Sequence, residues 1–167
     1  MIPMVNSAAE ARAILDCMKY YPAGMRGVAL GVAHDNYAMG PVPEKLAGAN
    51  ARTTLFCQIE TADGAKNADE IAALDGVDAL WVGHFDLSVS LGIPGEFNHP
   101  KFLEAIDRTV AATRKHGKAL GRLVPTTDAG IALYKQGFDF CCYSGDAWVL
   151  RDALTSAITT LREGCRP

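Results

Sequence analysis

The sequence predicts an α/β fold in which strands and helices alternate around a parallel sheet. Apolar runs of strand length are separated by longer segments whose apolar residues recur at helical spacing, which is typical of βα units. Several predicted strands are apolar almost throughout, as expected where both faces of a sheet are covered. Five such units can be counted, and no shorter internal repeat interrupts them.

The first two units differ in how their helices begin and end. In the first, the run 2–5 precedes a helix that Ser7 opens through a capping box. A loop rich in glycine and proline is predicted from about residue 21 to residue 43. The second unit is a strand over 54–60 with a helix that ends at Gly76, because glycine accepts the left-handed C-cap conformation.

The last three units repeat the order of strand, loop and helix. The third has a strand over 79–83, a loop over 84–98 and a helix with Pro100 near its start. The remaining predicted elements are a strand over 119–124, a helix over 127–137, a strand over 138–143, and a helix over 147–164 capped by Asp146.

Five units are too few for a closed barrel of eight strands, and no glycine fingerprint for a nucleotide accompanies them. A complete TIM (β/α)8 barrel has about 250 residues, so five-eighths of one has roughly 156, close to the 167 residues here. We therefore predict a single domain over 1–167, a partial TIM barrel truncated at its N-terminal side. Its first and last strands would have open edges that recruit a partner.

Composition excludes several classes of protein. The formal net charge is −3, and the basic residues are scattered, which disfavours nucleic acid and anionic membranes as partners. No apolar run approaches the roughly 20 residues of a membrane span, and the first segment does not resemble a signal peptide, so we expect a cytoplasmic protein. The five cysteines lack CxxC spacing and are expected to be reduced structural thiols.

Polar side chains stand at the C-terminal ends of predicted strands, where βα barrels place their reactive groups. Gln58 and Glu60 share one side of a strand, and a carboxylate there is costly to bury unless it is paired or binds a cation. Asp86 follows the next strand and could share that cation. His84 is a candidate for proton transfer, and Arg122 is a candidate for contact with an anionic group.

Each of these five residues also has a purely structural interpretation. Glu60 and Asp86 could cap helices or pair with buried arginines, and Gln58 could satisfy loop backbone. His84 could pack within its loop, and Arg122 could form a salt bridge. The spacing of the residues alone leaves these alternatives open.

Five short strings carry a resemblance to a known family. They are Ile-Pro-Met-Val-Asn (2–6), Met-Arg-Gly-Val (25–28), Gln-Ile-Glu-Thr (58–61), Val-Gly-His-Phe-Asp-Leu-Ser (82–88) and His-Gly-Lys (116–118). In order and spacing they resemble the HpcH/HpaI aldolase and citrate lyase family over nearly the whole chain. The resemblance implies a (β/α)8 barrel, of which this chain would supply the C-terminal portion, strands four to eight.

The same resemblance implies a class II, metal-dependent pyruvate aldolase. Glu60 and Asp86 would hold a divalent cation, Mg²⁺ or Mn²⁺ with Co²⁺ as a third option, since hard cations prefer oxygen ligands. Gln58 would orient water or substrate, and the backbone N–H groups of Phe85 and Asp86 would bind the substrate carboxylate. The implied reaction is cleavage or formation of a 4-hydroxy-2-oxo acid, with pyruvate and an aldehyde as the other side of the equilibrium.

The chain also departs from that family pattern. Many members have proline in the place of His84, and the family's acid–base histidine, its carboxylate partner and a substrate arginine belong to strands that are absent here. His34 and Asp35, in the long first loop on the expected side of the barrel, are the local candidates to replace the base. We therefore expect Met1 to be an internal methionine of a longer reading frame, and the isolated chain to be inactive.

Two other functions stay open at this point. One is a lyase that acts on a coenzyme A thioester such as citryl-CoA or malyl-CoA. The other is a non-catalytic barrel fragment that serves as a folding or assembly partner. The family's oligomeric habit further implies a homo-oligomer in which the last helix lies at the interface between subunits.

Overall fold

The computed structural model describes residues 1–166 and has a four-stranded parallel sheet at its centre. The strands are β1 (Phe56–Ile59), β2 (Ala79–Val82), β3 (Ala119–Val124) and β4 (Phe140–Tyr143), and neighbours in the chain are neighbours in the sheet. Helices connect each strand to the next, which is the arrangement that parallel pairing requires. The predicted α/β fold is confirmed.

Within the described residues, eight α-helices and one short 3₁₀ helix accompany the sheet. In chain order they are α1 (Ala8–Met18), the 3₁₀ helix (Ala33–Asp35), α2 (Val42–Arg52), α3 (Ala62–Lys66), α4 (Ala68–Ala72), α5 (His84–Ser90), α6 (Pro100–His116), α7 (Thr127–Lys135) and α8 (Asp146–Gly164). None of these helices combines the length and the apolar content that crossing a membrane demands.

The predicted first strand is wrong, because residues 2–5 form only a bridge to β1. Ile2 makes two backbone hydrogen bonds of 2.9 Å across this bridge, with Phe56 and Gln58. Met4 has a φ angle of 57°, in the left-handed region, which interrupts the extended backbone that a strand needs. The sheet therefore has four strands and one bridge rather than five strands.

Four other features differ from the sequence prediction. The helix expected before Gly76 is divided into α3 and α4, which meet at Asn67. The predicted loop 84–98 begins with α5, and the glycine- and proline-rich loop is followed by α2. Gly145 is the N-cap of α8, so Asp146 is its first helical residue rather than its cap.

Several helix ends follow their sequence signals closely. Ser7 Oγ accepts a hydrogen bond from the Glu10 N–H at 3.2 Å at the start of α1. Pro100 follows the N-cap of α6, and that helix ends at Gly117, whose φ of 64° is easily adopted by glycine. These caps confirm the predicted starts of α1 and α6 and the end of α6.

One face of the sheet packs against the helices and forms the core. Buried side chains from β1, β2 and β3 meet buried side chains from α4, α6 and α7, namely Cys57, Ile59, Leu80, Val82, Leu120, Ile71, Phe102, Ile106 and Leu133. Burial raises the pKa of the Cys57 thiol to about 11, which keeps it protonated. All five cysteines are free, but only Cys57 is buried.

The other face of the sheet carries an aromatic cluster. The Phe140 ring lies 5.5 Å from the Phe56 ring and 5.8 Å from the Trp81 ring, centre to centre. Gly121 leaves room for it, since a Cβ atom there would stand 2.3 Å from the Phe140 ring. These three aromatic side chains are only partly buried, so this face has little cover.

Candidate functional site

Glu60 directly follows β1 and is the buried carboxylate of the candidate site. Its side chain is 4% exposed, and Oε1 accepts a hydrogen bond from the Met4 N–H at 2.8 Å. Gln58 Nε2 donates to Oε2 at 2.5 Å. No Lys, Arg or His of residues 1–166 forms a salt bridge with it. The carboxylate therefore rests on neutral donors alone.

Gly83 is the residue that lets this carboxylate fit beneath the end of β2. A Cβ atom at this position would lie 2.5 Å from Glu60 Oε2 and 2.9 Å from Gln58 Nε2. Real side chains do not approach so closely, so any larger residue would displace Glu60 or Gln58. The sequence signal for this constraint is the single glycine of the Val-Gly-His-Phe-Asp-Leu-Ser string.

Asp86 lies three residues after Gly83, in the first turn of α5, and its side chain is exposed. The N–H groups of Phe85 and Asp86 have no acceptor within the helix, because the first turn of any helix lacks one. Gly83 is the N-cap and has no side chain to cap these groups. The start of α5 thus presents a carboxylate and free N–H groups at the edge of the sheet where Glu60 stands.

The donor set at this edge consists of two carboxylates. Among residues 1–166, no cluster of three or more His, Cys, Asp and Glu side chains is close enough to hold a metal ion. Mg²⁺ and similar hard cations bind through one or two carboxylates and complete their coordination with water or substrate. A buried carboxylate without a basic partner, with a second carboxylate at the same edge of the sheet, fits such a cation.

His84 is buried within a group of aromatic rings. Its ring lies 4.6 Å from the Phe85 ring and 5.2 Å from the Phe97 ring, centre to centre. Burial, followed by the nearby positive charge of Arg122, lowers the pKa of His84 to about 4, while Asp86 opposes the shift. The imidazole is therefore neutral at pH 7 and packs against the aromatic rings of its loop, and its part in proton transfer stays a prediction.

Arg122 lies on the opposite face of the sheet from Gln58. Strand register pairs Gln58 with Trp81 and Trp81 with Gly121, so these three share a face, and the next residue, Arg122, points the other way. Its partner in β2 is Val82, which belongs to the core. The expected contact between Arg122 and an acceptor at the Glu60 site does not fit this arrangement, and the alternative salt bridge is absent from the described residues.

His34 and Asp35 lie at the other end of the sheet. His34 Nε2 is 3.4 Å from the Tyr20 hydroxyl, and Asp35 Oδ2 accepts a 2.6 Å hydrogen bond from Lys45 Nζ. That hydrogen bond, with one from Gly31, lowers the pKa of Asp35. The residues line a cavity of about 500 Å³ together with Arg52, which precedes β1, whereas Glu60 follows β1. The expectation that this pair lies on the side of Glu60 is wrong.

Comparison with known proteins gives a family match. The family described as HpcH/HpaI aldolase/citrate lyase matches residues 1–153 of the chain. The match begins at residue 1 and covers the N-terminal part of the chain. The prediction that the resemblance concerns a C-terminal portion only is therefore corrected.

Named relatives are similar along most of the chain. A hydroxypyruvate/pyruvate aldolase from Chromohalobacter salexigens is 39% identical over 160 residues, which are 95% of this chain and 62% of that protein. A 5-keto-4-deoxy-D-glucarate aldolase from Klebsiella pneumoniae is 35% identical over 153 residues, 92% of this chain and 59% of that protein. The chain thus spans about three-fifths of the length of these relatives.

A solved structure is similar over the whole chain. The crystal structure of an HpcH/HpaI aldolase from Desulfitobacterium hafniense DCB-2 superposes with a TM-score of 0.90 at 29% identity. The superposition covers 100% of this chain and 65% of that one. The order of strands and helices is therefore shared with that aldolase.

The hydrogen bond between Gln58 and Glu60 can be tested through stability. Replacing Gln58 by leucine removes a donor from a buried carboxylate, and we expect the free energy of unfolding to fall by about 1.5–3 kcal/mol. Urea denaturation at pH 7 measures it. The matched control is Gln136→Leu at the C-cap of α7, an exposed glutamine, for which we expect a change within about 0.5 kcal/mol.

A second background separates the hydrogen bond from packing. In Glu60→Met protein the acceptor is gone, so Gln58→Leu should cost much less there than in the parent chain. An equal loss in both backgrounds would mean that the Gln58 side chain stabilises the chain through packing instead.

Proposed function

Since this chain belongs to the HpcH/HpaI aldolase/citrate lyase family, we propose that it carries the metal-binding part of a pyruvate aldolase site. The reaction is that of a carbon–carbon lyase, the cleavage of a 4-hydroxy-2-oxo acid to pyruvate and an aldehyde, or the reverse. One observation carries the proposal: Glu60 is a buried carboxylate with no basic partner in residues 1–166, and Asp86 stands at the same edge. The names of the relatives, which include a hydroxypyruvate/pyruvate aldolase, support it.

Glu60 and Asp86 are the proposed ligands of one divalent cation. Carboxylate oxygens suit Mg²⁺, Mn²⁺ or Co²⁺, and the structure favours none of the three. When bound, such a cation would supply Lewis acidity toward the keto oxygen of the substrate. The Gly83 position matters here, because the absence of a side chain lets Glu60 lie against β2 with its Oε2 atom held by Gln58.

Gln58 and the start of α5 are proposed to bind the 2-oxo acid. Gln58 already donates to Glu60 from the same strand, so its amide is oriented toward the site and can hold water or substrate. The N–H groups of Phe85 and Asp86 are free to donate to the substrate carboxylate. A cavity of about 280 Å³ beside Phe85, with Pro125 and Ser144 among its walls, leaves room for a small acceptor at this edge.

The proton transferred in an aldol reaction needs a base positioned beside the substrate. Each of the four histidines has other contacts in the structure. His34 lies at the far end of the sheet, and His84 packs among aromatic rings. His99 caps α6, and His116 contacts Asp69 at 3.0 Å. We propose that the described residues bind and orient the 2-oxo acid without transferring its proton, so that the 167-residue chain alone is inactive.

The fold and location of the chain complete the proposal. We propose that it forms a single domain that is part of a barrel, which is supported by the strand order and by the uncovered aromatic face of Phe56, Trp81 and Phe140. A cytoplasmic location is supported by five free cysteines, four of them exposed, because oxidising compartments favour disulfides.

We expect divalent-cation binding to depend on both carboxylates. Titration calorimetry with Mn²⁺ on the 167-residue chain should show one site, and Glu60→Ala or Asp86→Ala should weaken it by more than the roughly 10-fold to 100-fold that loss of an outer-shell group costs. Glu104→Ala and Asp107→Ala, which remove exposed carboxylates of α6, are the matched controls. Unchanged affinity in both site variants would contradict the assignment of the ligands.

Turnover distinguishes a working enzyme from a non-catalytic fragment. With Mn²⁺ present, we expect the 167-residue chain to release pyruvate from a 4-hydroxy-2-oxo acid about 10² to 10⁴ times more slowly than the Chromohalobacter salexigens relative, because a placed base is worth that factor. A coupled assay for pyruvate measures both proteins side by side. Comparable rates would show that the chain contains its own base, and His34→Ala and His84→Ala would then identify it.

Self-association is proposed through α8 and the edge strand β4. No residue of α8 is buried, and its exposed apolar side chains are Trp148, Val149, Leu150, Leu154, Ile158 and Leu161. Exposed apolar helix faces and open strand edges recruit partners. We expect a homo-oligomer in sedimentation velocity at micromolar concentration, and Leu154→Lys with Ile158→Lys should shift it toward monomer. A monodisperse parent chain of monomer size would contradict this.

A further inference from the structure

The cavity beside Arg122 lies on the helix side of the sheet and shares Pro125 with the cavity beside Phe85. It has a volume of about 230 Å³ and separates α6 from α7 above β3. Its walls are mostly apolar, with Phe97, Phe102, Leu103, Ile106, Val124, Pro125, Ala129 and Leu133 among them. Arg122 contributes the single charged side chain of this lining, and Asn98 and Gln136 contribute amides.

The guanidinium group of Arg122 is held over two aromatic rings. Its Cζ atom is 5.8 Å from the centre of the Phe97 ring and 5.8 Å from the centre of the Phe102 ring. Such cation–π contacts stabilise a guanidinium at the ring faces, but they leave its N–H groups without acceptors. The two phenylalanines therefore hold the guanidinium in place but do not accept hydrogen bonds from its N–H groups.

Arg122 makes no ion pair with any described carboxylate. Its Nε atom is buried and has no hydrogen-bond partner in residues 1–166, and burial lowers the pKa of the side chain. The exposed arginines of α6 differ in this respect, since Arg108 pairs with Glu104 and Arg114 pairs with Asp139. A cation that is partly removed from water without a carboxylate partner is costly, so an acceptor supplied by a ligand would stabilise it.

The neighbouring titratable groups do not supply that acceptor. His84 is close enough for Arg122 to lower its pKa, and it is neutral at pH 7. Asp86 interacts electrostatically with His84 but lies outside salt-bridge distance of Arg122. None of these groups therefore pairs with the charge on Arg122.

We propose that Arg122 and this cavity form a binding site for a small organic carboxylate with a short apolar body. The planar guanidinium can donate two parallel hydrogen bonds to a carboxylate, and the amides of Asn98 and Gln136 stand at the same cavity. The apolar walls match an apolar body, and the single cation matches a single negative charge. A phosphate dianion would find no second basic group in this lining.

Benzoate and benzamide test the site, because they share a ring and differ in charge. Titration calorimetry on the 167-residue chain should show saturable binding of benzoate and much weaker binding of benzamide. Arg122→Met keeps the apolar stem and removes the guanidinium, so benzoate should bind about tenfold or more weakly. Arg108→Met makes the same change on an exposed face of α6 and should leave the affinity unchanged.

Thermal unfolding provides a readout that does not depend on the variants. Benzoate should raise the unfolding midpoint of the parent chain, because a ligand that binds only the folded state stabilises it, and benzamide should not. Without ligand, Arg122→Met should unfold at the same temperature as the parent or higher, since it removes an unpaired charge from a partly buried position. Equal effects of benzoate and benzamide, or an unchanged benzoate affinity in Arg122→Met, would overturn the proposal.

Discussion

The burial of the Glu60 carboxylate at the end of β1 determines the local backbone on three sides. A buried carboxylate needs hydrogen-bond donors, and the chain supplies them from Met4 and Gln58. Met4 takes a left-handed conformation where its N–H reaches Glu60, which is why the residues before α1 form a bridge and not a strand. On the third side, Gly83 leaves the space that the carboxylate occupies.

Because side chains alternate along the strands, the candidate functional side chains are divided between the two faces of the sheet. Gln58 and Trp81 share a face with Gly121 and the Phe140 ring, while Leu80, Leu120 and Arg122 face the helices. A shift of one residue along a strand therefore decides which face of the sheet a polar side chain near the strand end occupies. Arg122 and Glu60 both stand near the C-terminal edge, yet the sheet separates them, and no salt bridge joins them.

Sequence patterns predicted the elements better than the side-chain environments. The bounds of β3 and the caps of α1 and α6 follow from apolar runs and from Ser7, Pro100 and Gly117, because these signals act within one turn of the chain. The face of the sheet on which Arg122 lies could not be predicted. The β3 segment is apolar on both faces, so it has no alternation of polar and apolar residues that would assign each side chain to a face. The packing of His84 depends on Phe97, thirteen residues away in a loop, and no local pattern reports that contact.

Within residues 1–166, Glu60 and Arg122 both lack a partner of opposite charge. The Glu60 carboxyl group is buried on one side of the sheet, and the Arg122 guanidinium is partly buried on the other. Because the strands hold them on opposite faces, neither can neutralise the other without breaking the register of β1, β2 and β3. A buried charge that cannot find its partner within the fold creates a preference for an external one. A cation at Glu60 and an organic anion at Arg122 would each remove a desolvation cost that the folded chain otherwise carries, and binding at either site would therefore also stabilise the fold.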